Sequence, residues 1–271
     1  MSNWYADIDL ARPLTDHDIF HNLVGWWMPH ISCYTGGKLY DFGLNKHHAT
    51  VDNSSAWCAT KFGHAIDFDG YGPTVTATSV GIAGTTKITY VAYVYRPNPV
   101  VQAYARIMVD KSYGTELKFN GGKIEAQIAN TGLMATGDIV YGWQQCAMAF
   151  NSGETDGFII YRNGQKCVSS TLSATVGTEN NLILGSYGDK WLDGPATMFA
   201  AFTRALNESE MTFLYEQSLK GYPDLIRRKR TRSTFFMSPS LDAIFSANQL
   251  SAATTIPGDT VQSNKTLELT L

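Results

Sequence analysis

The chain has 271 residues and a formal net charge of -3, and 44% of its residues are hydrophobic. This length suits one large β domain or two small domains, and the apolar content is enough to fill a core. Only 17% of the residues are charged, whereas the chain contains 14 tyrosines, 13 phenylalanines and 6 tryptophans. The composition favours strands and contact surfaces over long solvated helices, and the net charge gives no indication of a nucleic-acid partner.

The opening sequence, MSNWYADIDLARPLTDHDIF, has neither the basic start nor the apolar run of about seven or more residues that a signal peptide requires. No later stretch approaches the roughly 18 apolar residues of a membrane span. We therefore expect a protein made in a reducing cytosol, without membrane insertion. The four cysteines form no CxxC pair, so we expect reduced core residues rather than a zinc or redox motif. They are Cys33, Cys58, Cys146 and Cys167.

Residues 57–203 show the pattern of an antiparallel β protein, in which short runs of period 2 are separated by turn residues. Hairpins are predicted at Asn120-Gly121-Gly122 and at Asn163-Gly164, where positive φ angles are easily adopted. The segments NLILGSYG and ATMFAAFTR predict two further strands, and the almost wholly apolar second one is expected to be central. In the run KITYVAYVY, alternate side chains share one face: Ile88, Tyr90, Ala92 and Val94.

One short helix is predicted in the segment NESEMTFLYEQSL, and it should end near residue 219. Asn207 is the expected N-cap, and Glu210 follows it with the spacing of a capping box. Leu206 and Met211 have the spacing of a hydrophobic staple. The helix therefore closes the β domain.

The chain changes character after the helix, so we divide it into an N-terminal segment (1–21), a β domain (22–220) and an extended C-terminal arm (221–271). The arm has too little apolar content to fold by itself. Its basic run could be a solvated charge cluster, a nucleic-acid contact, or a docking element that pairs with acidic groups of another subunit. We favour docking, in which Phe residues insert into a pocket and alternating Leu residues extend a neighbour's sheet. The predicted docking residues are Arg227, Arg228, Lys229, Arg230, Arg232, Phe235, Phe236, Leu267, Leu269 and Leu271.

Several motifs in sequence order resemble the laminin-G-like, concanavalin A-like jelly-roll superfamily. LVGWWMP (23–29) resembles the opening strand of that family, YDFGLNKHHAT (40–50) its Asp-x-x-Gly-Asn turn, and KFGHAIDFDG (61–70) its Phe-Gly-x-Ala strand. The resemblance covers residues 22–216 and implies an all-β, antiparallel β-sandwich with one short C-terminal helix. It also implies glycan or protein binding. Later matches are Trp143 with CAMAF, Tyr161-Arg162-Asn163-Gly164, Leu184-Gly185, Asp193-Gly194 and TRALNESEMTFLY.

The acidic alternation in FGHAIDFDG raises the question of a metal site. Alternation directs Ile66 and Phe68 to the core, so Asp67 and Asp69 should face the other side, in what looks like an edge segment. The structural interpretation is that Asp69 accepts backbone N–H groups in a turn. The functional alternative is calcium, which some members of the resembled family bind, with Asp69 and Asp193 as ligands. No other cofactor is predicted.

Catalytic motifs give no support for an enzyme. Glycosidases of the resembled fold carry a Glu-x-Asp-x-x-Glu strand that places two carboxylates about 5 to 9 Å apart, and this run is missing from the sequence. The sequence also lacks a Gly-x-Ser-x-Gly elbow, a phosphate-binding glycine loop and a His-Glu-x-x-His helix. His47 and His48 are adjacent, so their side chains should point apart rather than share a metal. We therefore predict a non-enzymatic protein.

The segment GSYGDKWLDG contains the predicted glycan-binding residues Tyr187, Trp191 and Asp193. The resemblance places this segment in a loop at the rim of the sandwich, where an exposed indole offers a flat apolar face to a sugar. The alternative is that Trp191 only covers the end of the sandwich.

The segment YPDLIRRKRTRSTFF after the helix is similar to segments in proteins of tailed bacteriophages and of some environmental bacteria. We therefore predict a virion structural protein, either a capsid decoration or a tail-fibre component, made in the host cytoplasm. Its partners would be other virion subunits, in a homo-oligomer or a larger assembly, and a host-surface glycan. The alternatives are a free carbohydrate-binding protein and, less favoured, a glycoside hydrolase.

Overall fold

The computed structural model of the protein describes eleven segments of the chain. They are residues 12–13, 18–29, 37–51, 56–60, 63–69, 74–97, 104–110, 114–135, 141–188, 190–220 and 226–227. The strands in chain order are β1 Arg12–Pro13, β2 Leu23–Trp27, β3 Lys38–Leu39, β4 Ala49–Val51, β5 Ala56–Thr60, β6 Gly63–Asp69, β7 Val75–Ala77, β8 Lys87–Arg96, β9 Tyr104–Asp110, β10 Thr115–Asn120, β11 Lys123–Ile128, β12 Thr131–Met134, β13 Gly142–Asn151, β14 Phe158–Arg162, β15 Gln165–Ser170, β16 Leu182–Leu184, β17 Ser186–Tyr187, β18 Lys190–Trp191, β19 Asp193–Phe202 and β20 Ile226–Arg227. The helices are a 3-10 turn at Asp18–Phe20 and α1 at Glu208–Lys220.

Two large antiparallel sheets form a β-sandwich, which confirms the predicted fold class. The first sheet has the strand order β12-β11-β10-β9-β16-β7-β4-β3, and the second has the order β15-β14-β13-β8-β19-β6-β5, with β2 also paired to β19. The central position predicted for ATMFAAFTR is confirmed, because β19 pairs with β8, β6 and β2. FGHAIDFDG is not an edge segment as expected, because β6 lies between β19 and β5.

The strand β8 shows how alternation builds the interior. The four side chains predicted to share a face all lie in the core between the sheets, which we call the sandwich core. Val91 and Tyr93 alternate with them and lie on the other side of the second sheet, beneath α1, in what we call the helix-side core. Both faces of the second sheet are therefore buried along β8. The sandwich core includes Trp27, Ile66, Phe68, Tyr90, Phe119 and Phe199, and the helix-side core includes Trp26, Tyr161, Met198, Phe202, Met211 and Leu214.

The helix α1 begins with the predicted capping box. The backbone N–H of Glu210 donates to Oδ1 of Asn207 at 3.0 Å, and the backbone N–H of Asn207 donates to Oε2 of Glu210 at 2.9 Å. Leu206 and Met211 are both buried in the helix-side core, as a staple requires. These contacts fix the start of α1 against the outer side of the second sheet.

Both predicted hairpins are confirmed. The strands β10 and β11 pair from Asn120 opposite Lys123, and β14 and β15 pair from Arg162 opposite Gln165. The segment NLILGSYG differs from the prediction of a single strand, because it breaks at Gly185 into β16 and β17. Cys146 is buried and Cys58 and Cys167 are half-buried, all as free thiols, and Cys33 lies outside the described residues.

Only short parts of the N-terminal segment and of the arm belong to the described residues. The strand β1 pairs with β20, with Arg12 opposite Arg227, and the side chain of Arg227 is not described. The other predicted docking residues lie outside the described residues: Arg228, Lys229, Arg230, Arg232, Phe235, Phe236, Leu267, Leu269 and Leu271. Within the described segments, no helix is both long enough and apolar enough to cross a membrane.

Candidate ligand-binding rim

The hairpin of β17 and β18 lies at one end of the sandwich, and glycines set its position. Gly185 has φ +79°, and a Cβ atom there would overlap the ring of Phe68. Gly194 has φ +114°, and a Cβ atom there would lie 2.5 Å from the carbonyl oxygen of Tyr95. Only glycine meets both requirements, since it has no Cβ and adopts positive φ freely. The chain around the hairpin is therefore held tightly against the end of the sandwich.

The structure brings the predicted glycan-binding residues into this one region. Tyr187 and Trp191 belong to the two strands of the hairpin, in which Ser186 pairs with Trp191. The Trp191 side chain is half-buried, and neither core cluster of the described residues includes it. The Tyr187 side chain lies outside the described part. Asp193 begins β19 and is only 8% exposed, so most of it faces protein rather than solvent.

The two predicted calcium ligands lie opposite each other. Asp69 at the end of β6 pairs in register with Asp193 at the start of β19, although the Asp69 side chain is not described. The predicted alternation is confirmed nearby, because Ile66 and Phe68 are buried and Asp67 is half-buried. Among the described residues, no group of three or more His, Cys, Asp or Glu side chains is arranged to hold a metal ion. Calcium binding by Asp69 and Asp193 stays a prediction.

A buried arginine lies between the two sheets at the same end. Arg96 is the last residue of β8 and is 1% exposed. Its guanidinium carbon lies 4.2 Å from the centroid of the Phe119 ring, which belongs to the facing sheet. Burial lowers the pKa of Arg96 from its ordinary value, and the nearby Cys146, Tyr141 and Asp193 counteract this effect. We define the rim as Arg96, Phe119, Tyr141, Trp191 and Asp193.

An ion network lies on the outer face of the first sheet, on the opposite side of β10 from Phe119. Its centre is Glu116, whose Oε2 accepts a hydrogen bond from Nε of Arg106 at 2.9 Å and whose Oε1 contacts Nζ of Lys118. Nζ of Lys118 also lies 3.2 Å from Oε1 of Glu125 and donates to Oε1 of Gln127 at 3.0 Å. We call Arg106, Glu116, Lys118, Glu125 and Gln127 the outer network.

The outer network holds its lysine in the charged state. Lys118 is 2% exposed, and burial by itself lowers its pKa. Hydrogen bonds to Glu116 and Tyr104, together with the charges of Glu116 and Glu125, outweigh burial and raise that pKa from its ordinary value. The ammonium is therefore a fixed counter-ion shared by two carboxylates.

Tyr104 connects the outer network with the hairpin. Nζ of Lys118 lies 4.8 Å from the centroid of its ring, and Nζ of Lys190 in β18 lies 5.5 Å from the same centroid. Both distances are within the range of a cation–π contact. Because Tyr104 pairs with Asn120 at the end of β10, these contacts place the outer network next to the rim.

Sequence reasoning missed the outer network and the role of Arg96. The signal for the network was present in TELKFNGGKIEAQIA, where Glu116 and Lys118 alternate with Leu117 and Phe119. Such alternation gives one polar and one apolar face, but it does not reveal that β9 adds Arg106 beside them. Arg96 is the next residue in the core-facing alternation of β8. Because basic residues are seldom buried, the alternation was not extended to it in the sequence analysis.

The histidine pair lies in a separate loop, and its side chains have different roles. Asp41 Oδ1 accepts the backbone N–H groups of Trp26 at 2.8 Å and of Gly43 at 2.6 Å, and its Oδ2 accepts that of His47 at 2.8 Å. The backbone N–H of Asp41 donates to Nδ1 of His48 at 3.1 Å. This loop is thus tied together by Asp41 and His48.

Comparison with known proteins gives one family and a set of similar folds. The family model described as the concanavalin A-like lectin/glucanases superfamily matches residues 69–212. No curated protein sequence matches the chain.

Among solved structures, the binding domain of Paraclostridial mosquitocidal protein 1 has a TM-score of 0.58 and 14% identity, covering 73% of this chain and 52% of that one. Domain 4 of AbnA, a GH43 extracellular arabinanase from Geobacillus stearothermophilus in complex with arabinotriose, has a TM-score of 0.56 and 17% identity, covering 72% of this chain and 98% of that one. A structure of botulinum neurotoxin type C, whose cell entry depends on two ganglioside molecules, has a TM-score of 0.55 and 12% identity, covering 74% of this chain and 52% of that one. The chain spans about half the length of the two toxin chains. Identities this low establish a shared fold alone.

Proposed function

The chain belongs to the concanavalin A-like lectin/glucanases superfamily, and on that premise we propose that it is a non-enzymatic glycan-binding component of a virion. The rim binds a sugar on the host surface, and the C-terminal arm anchors the protein to other virion subunits. The component is a capsid decoration or a part of the tail fibre.

The observation that carries the glycan-binding proposal is the hairpin at the rim. Steric requirements at Gly185 and Gly194 hold the hairpin in one position, and Trp191 within it belongs to neither core cluster of the described chain. A half-buried indole beside polar side chains is suited to stacking against the apolar face of a sugar ring. Tyr104, in contact with Lys190 of the same hairpin, provides a second aromatic ring in this area.

The similar structures support this proposal. AbnA domain 4 was solved with arabinotriose, and the neurotoxin type C structure concerns two ganglioside molecules. Both ligands contain sugars, and both proteins share the sandwich fold. The support is for a class of ligand, since fold likeness alone does not transfer a binding site.

The outer network supports a non-enzymatic role. A glycosidase needs one carboxyl group that donates a proton and a second that acts as a base or nucleophile. Here Glu116 contacts Arg106 and Lys118 through its two oxygens, and Glu125 shares the Lys118 ammonium. Carboxylates engaged in this way act as counter-ions within the sheet.

The virion part of the proposal is supported by the arm. The segment YPDLIRRKRTRSTFF follows α1 directly and is similar to segments of tailed-bacteriophage proteins. Its cluster of Arg and Lys residues, next to two Phe residues, has the composition of a docking element.

A glycan array probed with the full chain tests the glycan-binding proposal. We expect wild-type protein to bind a defined set of glycans and Trp191→Ala to lose about fivefold or more in affinity, because stacking on an aromatic ring contributes on the order of 1 kcal/mol. The matched control is Trp143→Ala, because Trp143 is also half-buried but stacks on Tyr93 at a centroid distance of 5.6 Å, on the helix side of the second sheet.

Trp143→Ala should lower stability without changing the glycan profile. Equal binding by wild-type protein and Trp191→Ala would remove the hairpin from the site, and an array without any bound glycan would contradict the proposed function.

A further inference from the structure

The strands at the edges of the two sheets differ in how well they are protected. The first sheet ends in β12 and β3, the second ends in β15 and β5, and β2 is attached to β19 past the end of β6. A strand at an edge carries backbone N–H and C=O groups on the side without a neighbour. Proteins usually block such an edge with a charge, a proline, a bulge or a very short strand. An edge without this protection can accept a strand from another chain.

Four of these five strands are protected. The strand β12 lies against β14 and β15, so the edges of the two sheets meet on that side of the sandwich. In β15 the backbone N–H of Lys166 donates to Oε1 of Glu208 in α1 at 3.4 Å, and the pairing of β15 with β14 contains a register shift. The strand β3 has only two residues. On the other side of β2, the backbone N–H of Phe42 donates to the carbonyl oxygen of Trp26 at 2.8 Å.

The strand β5 has none of these protections. Its sequence, Ala-Trp-Cys-Ala-Thr, contains no charge and no proline, and it pairs with β6 at five consecutive positions without a register shift. Within the described residues, no strand pairs with the other side of β5. Ala59 in this strand is exposed to solvent. The edge at β5 is therefore the one that favours strand addition.

The two faces of β5 determine which strand could be added. Trp57 lies opposite Ile66 and packs against the sandwich core, but it is only half-buried. Burial and the charge of Asp67 raise the pKa of the Cys58 thiol, which places Cys58 beside Asp67 on the face away from that core. Directly opposite residues of paired strands point to the same face. An added strand therefore needs apolar side chains next to Trp57 and polar side chains next to Cys58.

The arm contains a segment with this pattern, which lies outside the described residues. In residues 265–271, Lys-Thr-Leu-Glu-Leu-Thr-Leu, every second residue from Leu267 onward is leucine, and Glu or Thr alternates with it. A strand of this sequence has leucines on one face and threonine or glutamate on the other. The 37 residues between Arg227 and Lys265 can extend by up to about 120 Å, so the segment can reach a neighbouring copy.

We propose that residues 265–271 of one copy of the chain bind as an added strand along β5 of a second copy, with their leucines next to Trp57. This inference rests on the anchoring role proposed for the arm and names the surface that receives it. The leucines cover the accessible part of Trp57, and the threonine and glutamate side chains lie beside Cys58 on the outer face. Because each copy has one arm and one β5 edge, the contact can be repeated from copy to copy in an assembly.

Analytical ultracentrifugation of full-chain variants tests this contact. Ala59→Lys places a charge on the same face of β5 as Trp57, and it should convert the assembled full chain into a monomer, because an inward-pointing charge blocks strand addition. Its melting temperature should stay close to that of wild-type protein, since Ala59 is exposed. The matched control is Thr131→Lys, because Thr131 is an exposed residue of another edge strand, β12. This control should assemble like wild-type protein.

Disulfide cross-linking through Cys58 locates the added segment. Thr266→Cys, Glu268→Cys and Thr270→Cys each place a thiol on the polar face of the segment, so at least one of these full-chain variants should form a disulfide-linked dimer through Cys58 under mild oxidation. Mass spectrometry of the linked peptides identifies the two cysteines. Leu269→Cys is the control, because its thiol would face Trp57 and should not be linked to Cys58.

The possible results separate this inference from the proposed function. Unchanged assembly of Ala59→Lys, or linkage of the segment to a residue outside β5, would overturn the inference and leave anchoring by the arm intact. A wild-type full chain that stays monomeric would overturn both the inference and the anchoring role. Glycan binding at the rim is measured separately on the array, so it is not affected by either result.

Discussion

Asp41 and His48 show how two side chains determine the conformation of a whole loop. The Asp41 carboxylate accepts hydrogen bonds from three backbone N–H groups, and the backbone N–H of Asp41 donates to Nδ1 of His48. Nδ1 can accept this bond only when it carries no proton, so the loop requires neutral His48. Trp27 depends on the same loop, because its Nε1–H donates to the carbonyl oxygen of His47 at 2.6 Å.

The first prediction concerns the pH dependence of this loop. Burial lowers the pKa of His48 from its ordinary value of 6.5, with Lys46 and Lys38 acting in the same direction and Asp41 opposing them. The unfolded chain therefore binds a proton at a higher pH than the folded protein does. His48 contributes its full stability above about pH 6.5, and this contribution is lost as the pH falls through the lower folded pKa. Histidine titration by NMR, together with melting temperatures from pH 8 to 4.5, measures the effect.

Two variants separate His48 from other titrating groups. His48→Asn keeps an acceptor without a titrating group, so it should flatten the part of the stability profile below pH 6.5. His47→Asn is the matched control, because the hydrogen bonds that His47 makes within this loop come from its backbone N–H and carbonyl groups, which the substitution keeps. A profile that His48→Asn leaves unchanged would contradict the assignment.

At the scale of the secondary-structure elements, both cores lie within the described β-sandwich. The sandwich core and the helix-side core are built from residues between Ile19 and Leu214. The contact between β1 and β20 involves only two residue pairs. We therefore expect the β domain to fold without the arm.

A truncation that ends at Lys220 tests the role of the arm. We expect this variant to melt within a few degrees of the full chain, because both cores are kept, and to remain monomeric in analytical ultracentrifugation. The full chain should assemble, and only the full chain should be incorporated into particles. A second variant, in which the five basic residues of the arm are changed to Gln, should also fail to assemble. Normal incorporation of the truncated form would contradict anchoring by the arm.

Local sequence patterns predicted several elements because local interactions determine them. The capping box at Asn207 and the turn at Asn163-Gly164 depend on a few consecutive residues, and the faces of β8 follow from strict alternation. The break at Gly185 was not predictable, because it depends on the ring of Phe68, which is distant in sequence. The inner position of β6 likewise depends on pairing with β5 and β19.

The candidate site was less predictable than the fold for the same reason. Trp191 and Asp193 were found from one continuous segment. Arg96 and Phe119 meet only when the two sheets pack face to face, and Glu116 meets Arg106 only through the pairing of β9 with β10. Contacts between sheets and between strands leave no short-range pattern in the sequence.

At the scale of the molecule, the described β-sandwich has three regions that differ in what they carry. The second sheet is covered on its outer side by α1, so its outer face is used for stability. The first sheet carries the outer network on the side that faces away from the sandwich core, and the hairpin lies at the end of the sandwich. Our proposal assigns ligand binding to the rim.

The central claim is that the rim binds a glycan without cleaving it. The most direct measurement is a calorimetric titration of the full chain with the best glycan from the array, followed by mass spectrometry of that glycan after prolonged incubation. Our account predicts saturable binding with an unchanged glycan mass. Hydrolysis products that disappear in Glu116→Gln, or a titration without saturable binding, would contradict it.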